Sequence, residues 1–351
     1  MSAETADRRG GADRSSVDLC LVTGATGFIG SHLARRLVGE RYRVRCLVRE
    51  SSDTSILEAL DVELVRGDLT DVGSLIRATR GCRFVVHCGA LVSDWATVEE
   101  IRRVNVAGTR NLLEASTAAS AERFVHVSTT DVYGYPGGRG IGEEHLPARF
   151  SNWYAETKRD AEAEVRRVEH TRGLDVVILR PATVYGPGSE DVVGDMAQAI
   201  RRRQMLLVDG GRAVAGLLYV ENLLDAAVLA LRADAARGEA FNVTDGLDVT
   251  WKRFLSDVAE GLGYRAPRWS VPYGAGFAVA LALEHGYRFL RRTARVTTRP
   301  LLSRQAIQVL GRDQDFSNRK ARETLGWAPR VSYQDGLAAT INWLRDEYLV
   351  P

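Results

Sequence analysis

With 351 residues, 45% of them hydrophobic and 26% charged, the chain has an ordinary soluble composition and enough apolar material for a large core. A formal net charge of +2 excludes an electrostatic footprint for nucleic acid. No stretch reaches the ~20 apolar residues of a membrane-spanning helix, since the nearest, Val271 to Leu283, is interrupted by Gly274 and Gly276 and closed by Glu284.

Met1 to Ser16 is polar and charged and lacks an apolar h-region, so it reads as a disordered tail and not as a signal peptide. Leu19 to Val22 then has the length and composition of a strand. Gly24, Gly27 and Gly30 follow at three-residue spacing, and Ile29, Leu33 and Leu37 recur at helical spacing. Strand, glycine turn and helix together form a dinucleotide-binding signature. The first glycine permits the turn, the second lets a pyrophosphate approach the backbone, and the third lets helix and strand pack closely. The helix N-terminus offers free N–H groups to the phosphates, with Thr26, Phe28 and Ile29 in the same turn.

Arg43 to Arg49 is a second strand. Arg49 stands about 20 residues past the glycine turn, where an acidic residue would hold a ribose 2′-hydroxyl. A guanidinium there pairs with a 2′-phosphate, so NADP(H) is favoured over NAD(H). Asp61 to Leu69 is a third strand, and Asp68 offers its carboxylate either to an adenine amino group or to the cap of a following helix. Phe84 to Ala90 is a fourth, ending in the small residues Cys88, Gly89 and Ala90 that close cofactor approach requires; His87 reads as a core histidine. A helix from Val98 to Ala118 carries Asn105, unfavourable in a helix interior unless it is exposed or anchors a water or backbone group near Lys158. Phe124 to Thr130 and Asp175 to Arg180 are fifth and sixth strands.

This alternation predicts an α/β fold with a Rossmann-type, doubly wound parallel sheet, whose ligands bind at the carboxyl ends of the strands. Residues 17–181 are assigned to the dinucleotide-binding domain, with later segments returning to it, and 182–351 mainly to a smaller substrate-binding cap. Four cysteines without a Cys-x-x-Cys pair point to a reducing, cytoplasmic compartment, and six histidines without ligand spacing point to no metal.

Tyr154 and Lys158 are four residues apart in a helix-forming stretch, and so lie on one face, one turn apart. A phenol titrates near ~10, and a neighbouring ammonium or an oxidised nicotinamide ring is expected to lower that value toward acid–base use. Lys158 can also hold the nicotinamide ribose. Ser128, Thr129 and Thr130 end the fifth strand, where a hydroxyl can bond a reacting carbonyl alongside Tyr154.

These residues resemble the extended short-chain dehydrogenases/reductases. The resemblance runs from Asp18 to Leu344 and rests on Thr23-Gly-Ala-Thr-Gly-Phe-Ile-Gly30, Gly67-Asp-Leu69, Val104-Asn-Val-Ala-Gly-Thr109 and Val127-Ser-Thr129. It rests also on Tyr154 with Lys158, Leu179-Arg-Pro181, Val184-Tyr-Gly-Pro187, Leu218-Tyr-Val-Glu-Asn222 and Leu325-Gly-Trp-Ala-Pro329. It implies Tyr154 as acid/base, Lys158 as its partner, Thr129 as the third member and Asn105 beside them. It extends the cofactor set to Leu69, Cys88, Ala90, Pro181 and Thr183, and the substrate set to Ser93, Trp95, Thr130, Val184 and Tyr185. Sugar dehydratases of the family carry two adjacent acids after the threonine; here Thr130 replaces the first and Asp131 keeps the second.

Val48-Arg49, Val271-Pro-Tyr273 before an apolar helix, and Gly311-Arg-Asp313 leading to Phe316-Ser-Asn-Arg-Lys-Ala321 are similar to the 3β-hydroxysteroid dehydrogenase branch. Ala215 and Gly216 stand where nucleotide-sugar epimerases of the family usually place an Arg-Asp clamp for a diphosphate. The expected activity is hydride transfer between nicotinamide and the secondary alcohol or ketone of a fairly apolar molecule (sterol-, polyketide- or acyl-ketone-like). The alternatives are a nucleotide-sugar epimerase with tightly bound NAD and a non-catalytic NAD(P)-binding regulator. The resemblance also implies a homodimer through the helices of Asn105 and Tyr154.

Overall fold

The computed structural model describes residues 17–92, 96–147, 152–293 and 303–349. Seven parallel strands form its centre, in the order β10-β6-β5-β4-β1-β2-β3. These are β1 (Leu19–Thr23), β2 (Arg43–Val48), β3 (Val62–Arg66), β4 (Phe84–His87), β5 (Arg123–Val127), β6 (Asp175–Pro181) and, far along the chain, β10 (Glu239–Val243). The six foreseen strands are present; β1 and β6 run one residue further than foreseen, to Thr23 and Pro181, and the others end before their foreseen termini.

Two helical layers cover the sheet. On one face, α1 (Phe28–Gly39) and α8 (Val220–Arg232) bury Leu33, Leu37, Leu223 and Leu231 against Val22, Val86 and Val125. The other face carries α3 (Val72–Thr79), α5 (Gly108–Ala118) and α6 (Trp153–Arg172), which bury Leu75, Leu112, Val165 and Val168 against Leu21, Val85 and Phe124. Short helices α2 (Ser55–Glu58) and α4 (Val98–Arg102) belong to the connections.

The helix expected from Val98 to Ala118 is interrupted by a π-turn over Arg103–Ala107, with Asn105 at its centre. Such a turn inserts one residue into the ladder, and it is commonly found at functional sites.

The seventh strand is held by polar contacts as well as by its ladder. Asn242, fully buried, accepts from the Tyr133 hydroxyl at 2.7 Å and donates to the Ile141 carbonyl at 3.1 Å. Arg180 at the end of β6 grips Glu162 of α6 through two bonds of 2.7 and 3.0 Å and donates to Tyr133 at 2.8 Å. This ties the helix of Tyr154 and Lys158 to the sheet edge.

The remaining chain builds a smaller body. Its pieces are β7 (Thr183–Tyr185) paired with β9 (Leu217–Tyr219), and β8 (Leu207–Val208) paired with β11 (Ser270–Val271). Around them lie α7 (Asp195–Arg201), α9 (Trp251–Gly261), α10 (Tyr273–Thr293), α11 (Arg304–Gly311) and α13 (Tyr333–Trp343), while α12 (Arg319–Leu325) returns to the main sheet, burying Ala321 and Leu325 in its core. The core of the smaller body contains Val193, Ile200, Trp251, Phe254 and Trp343. Among the described residues no helix is long and apolar enough to cross a membrane. All four cysteines are free thiols.

Candidate active site

The glycine turn closes as its spacing predicts. Gly24 has φ +70°, and a Cβ there would lie 2.7 Å from the Gly89 nitrogen. Only glycine combines that left-handed backbone with so close an approach of the β1 and β4 ends. Gly30 packs directly on the Gly24 carbonyl oxygen. Gly27 starts α1 without a side-chain cap, and the first turn holds no acidic residue. The end of α1 is therefore open to an anion, and no carboxylate of its own first turn competes there. Gly27 is exposed, with Thr26, Phe28 and Ile29 half-buried around it.

Arg49, exposed at the end of β2, lies beside Arg66, whose Nη1 donates to the Arg49 carbonyl at 3.0 Å. Asp68 accepts from the Thr70 backbone N–H at 2.8 Å and from its hydroxyl at 2.6 Å. Burial works against its charge, but these bonds and the guanidinium groups of Arg49 and Arg103 hold the carboxyl below its ordinary range. The helix cap that Asp68 might have formed belongs to Asp71, which accepts from the Gly73 N–H. Leu69 supports the π-turn from below, since a Cβ on Gly108 would meet the Leu69 side chain at 2.8 Å.

A polar row crosses the sheet interior in register: Thr23 on β1, His87 on β4 and His126 on β5. Thr23 Oγ1 lies 2.7 Å from His87 Nδ1, and His87 Nε2 lies 2.9 Å from Thr109 Oγ1. The Thr109 hydroxyl donates to the Asn105 carbonyl at 2.6 Å, so it accepts from His87 Nε2–H, and Nδ1 accepts from Thr23. Burial, assisted by the charge of Lys158, pushes His87 down to about 3, so the ring is neutral. His87 is thus a satisfied core histidine, ending β4 immediately before the Cys88–Ala90 segment. Within that segment, the Gly89 N–H donates back to Thr23 at 3.3 Å.

Asn105 is buried and works through its side chain. Its Oδ1 accepts from the Leu91 N–H at 2.7 Å, and its Nδ2 donates to the Leu91 carbonyl at 3.1 Å and to Thr157 Oγ1 at 3.3 Å. The residue clamps the loop after β4 onto α6, next to Lys158. Ser93 and Trp95, further along that loop, lie outside the described residues.

Lys158 is buried, with Nζ donating to the Val127 carbonyl at 2.8 Å and lying 3.5 Å from His126 Nε2. Burial lowers its pKa to about 8, with Glu162 and Cys88 acting the other way. Tyr154 is half-buried, and its phenol is raised, not lowered: burial acts first and the Asp131 carboxylate second. The expected acidification by the neighbouring ammonium is absent from the protein alone, where Lys158 is spent on a backbone carbonyl and is itself pushed toward neutrality.

Thr129 accepts the Asp131 N–H on its hydroxyl at 3.1 Å, which leaves its proton free to donate. Thr130 is buried in the same short turn. Asp131 accepts from Gln305 Nε2 of α11 at 3.2 Å. Tyr135, a non-glycine residue at φ +58°, places its buried hydroxyl by Asp131 and 3.3 Å from Asn152 Nδ2. Asp131, Tyr135, Asn152 and Gln305 were not singled out as site residues. Their only sequence signal was the carboxylate retained after Thr130.

Pro181 ends β6 and Thr183 opens β7, with the Thr183 N–H donating to the Gly216 carbonyl. Val184 packs between the two cores. Tyr185 departs from the expectation that it lines the pocket: it is fully buried among Tyr219, Phe254 and Tyr333, because alternation along β7 turns it into the cap core.

Comparison with known proteins agrees with this architecture. The profile of the NAD dependent epimerase/dehydratase family matches residues 20–244. A 4-hydroxy-2-methyl-3-oxo-4-farnesyl-3,4-dihydroquinoline-1-oxide ketoreductase of Stigmatella aurantiaca is 34% identical over 91% of this chain and 94% of its own length. A 3 beta-hydroxysteroid dehydrogenase/Delta 5-->4-isomerase of Mycobacterium tuberculosis is 30% identical over 90% and 88%. The solved structure of MoeE5 with UDP-glucose and NAD superposes with a TM-score of 0.72 at 27% identity, covering 93% of this chain and 98% of that one. With the parallel sheet, the open glycine turn and these relatives together, the chain belongs to the NAD dependent epimerase/dehydratase family and is an NAD(P)-dependent oxidoreductase of the extended short-chain dehydrogenase/reductase type.

Proposed function

We propose that the chain reduces the ketone of a fairly apolar small molecule, or oxidises the matching secondary alcohol, with NADP(H) preferred. The observation that carries this reading is geometric: Tyr154 lies on α6 one helical turn from buried Lys158, whose Nζ is anchored on the Val127 carbonyl two residues before Thr129. A phenol is protonated at neutral pH and can give its proton to a carbonyl oxygen; the upward push of burial and Asp131 keeps the proton on but does not by itself make the group a stronger acid. Thr129 donates a second hydrogen bond to that oxygen. Lys158, anchored on Val127, directs its remaining protons to the nicotinamide ribose. Bound in the crevice, the cofactor supplies or accepts hydride at nicotinamide C4.

The residues that would hold it are Gly24, Thr26, Gly27, Phe28, Ile29 and Gly30 at the pyrophosphate, and Asp68 and Leu69 at the adenine. Cys88, Gly89, Ala90, Pro181 and Thr183 would flank the nicotinamide end. The fit rests on the close Gly24–Gly89 contact and the open end of α1. Arg49 and Arg66, side by side at the end of β2 and β3, support a 2′-phosphate.

The named activities of the quinoline ketoreductase and the steroid dehydrogenase support an apolar ketone or alcohol. Where a diphosphate clamp would stand, Ala215 is fully buried, and a Cβ on Gly216 would collide with the Gln314 carbonyl oxygen. An arginine does not fit there, which weighs against the nucleotide-sugar epimerase reading.

The test is reduced-cofactor consumption with a panel of apolar ketones, comparing NADPH with NADH. Consumption is expected, faster with NADPH. Tyr154→Phe should lower kcat about 10³-fold while the cofactor still titrates. If no ketone is turned over but nucleotide sugars are interconverted without net cofactor change, the epimerase reading replaces this one. A homodimer through α5 and α6 belongs to the same proposal. Within one chain, α4 and α5 are tied to α6 by the Arg102–Glu156, Arg102–Asp160 and Arg110–Glu164 pairs at 2.5, 3.0 and 2.6 Å. Sedimentation at low and high ionic strength should find a dimer that weakens with salt.

A further inference from the structure

α10 presents an apolar face that nothing in the described chain covers. Its inner side packs through Gly276, Ala280 and Phe277 on Ile307 of α11 and Val208 of β8. Its outer side exposes Ala275, Ala278, Val279, Ala282, Leu283 and Gly286, which fall at i, i+3, i+4, i+7, i+8 and i+11. This is one continuous stripe, about 17 Å long at ~1.5 Å per residue. Val279 is 52% and Leu283 42% exposed, although core positions of the same residue types are almost fully buried. His285 is the one exposed polar side chain among residues 274–286.

The charge around the stripe is one-sided. Trp269, 75% exposed, stands just before the helix with exposed Arg265 and Arg268 beside it. In sequence, the far end of α10 carries Arg288, Arg291 and Arg292. Residues 262–312 hold nine arginines and a single acid, Glu284, while the rest of the chain is net negative. Glu284 is buried and paired with Arg304 at 2.7 Å, and half-buried Asp209 accepts from the Tyr273 N–H at the start of the helix, so neither carboxylate lies on the exposed stripe.

We propose that α10 is a peripheral membrane-binding helix that lays its Ala275–Leu283 face on an anionic lipid surface. An exposed tryptophan, a stripe of apolar side chains without hydrogen-bonding groups, and exposed Arg265 and Arg268 at its start match the headgroup–acyl boundary of such a bilayer. The helix rests on α11, which through Gln305 also bonds Asp131. Lipid binding is independent of the oxidoreductase reading and is measured without turnover.

The test is flotation of the whole protein with phosphatidylglycerol vesicles and, separately, with phosphatidylcholine vesicles. The protein is expected to float with the first, to stay behind with the second, and to be released by high salt. Val279→Glu with Leu283→Glu should weaken binding about tenfold or more with the thermal midpoint unchanged. Should that variant fail to fold, Arg265→Glu with Arg268→Glu is the second probe, and it too should weaken binding. The proposal is overturned by absence of flotation with the anionic vesicles, or by charge variants that float like the parent. It is also overturned by a solution dimer that the Val279→Glu and Leu283→Glu pair splits while vesicles bind neither form.

Discussion

At the nucleotide end of the crevice the decisive contacts are backbone on backbone, Gly24 against Gly89 and Gly30 against Gly24. At the substrate end they are side chain on side chain, with Asp131, Tyr135, Asn152 and Gln305 arriving from three separate stretches of chain. The first construction tolerates almost no change of residue type, because a single added carbon collides with main chain. The second can be re-cut by substitutions that leave the fold alone. One scaffold can thus keep one cofactor while its substrates diverge.

Three substitutions probe this contrast. Gly24→Ala should be the most damaging. Its Cβ would enter the Gly89 backbone in a left-handed conformation, so a loss of about 3 kcal/mol or more of stability is expected together with lost cofactor affinity. Chemical denaturation and cofactor titration read both, and wild-type stability in this variant would remove the basis of the contrast.

Lys158→Met should act in the opposite sense. Burial holds this ammonium at about 8 against an ordinary 10.5, so the folded protein carries a cost below pH 8 that eases as pH rises from 8 to 10.5. The methionine variant should be inactive yet more stable by on the order of 1–3 kcal/mol at neutral pH, with the gap closing across that window. Melting curves against pH would show it, and a gap that widened with pH would contradict the burial argument.

Asp131→Asn should have the smallest effect on folding, within about 0.5 kcal/mol. Asp131 raises the Tyr154 phenol, so removing its charge should move the alkaline limb of the kcat/KM profile to lower pH. An unmoved limb would mean that a group other than this phenol is titrating.

What could be read from the residues follows the same division. The turn at Gly24, Gly27 and Gly30 is local, so spacing alone located it. The strand alternation from Leu19 to Arg180 gave six of seven sheet members in order. β10 escaped because Glu239–Val243 is short, without two-residue periodicity, and separated from its partner β6 by some sixty residues. The π-turn at Asn105 was invisible because an inserted residue leaves the helical pattern on either side intact. Tyr185 was misplaced because its neighbour Val184 lies between the cores, and one step along a strand reverses the face. Asp131, Tyr135 and Gln305 meet only through tertiary placement. The sign of the Tyr154 shift depended on where Lys158 Nζ points, which spacing on a helix does not determine.

The late arrival of β10 bears on how the molecule comes into being. During synthesis, β6 is made long before its outer neighbour, so the nascent sheet stands for a time with an unpaired hydrogen-bonding border at Asp175–Pro181. In the folded sheet β10 covers that border, and its Asn242 bonds Tyr133 and Ile141 at the two ends of the 133–141 loop. Truncations that stop short of Val243 should therefore aggregate through this border, even though the complete glycine turn has already been made.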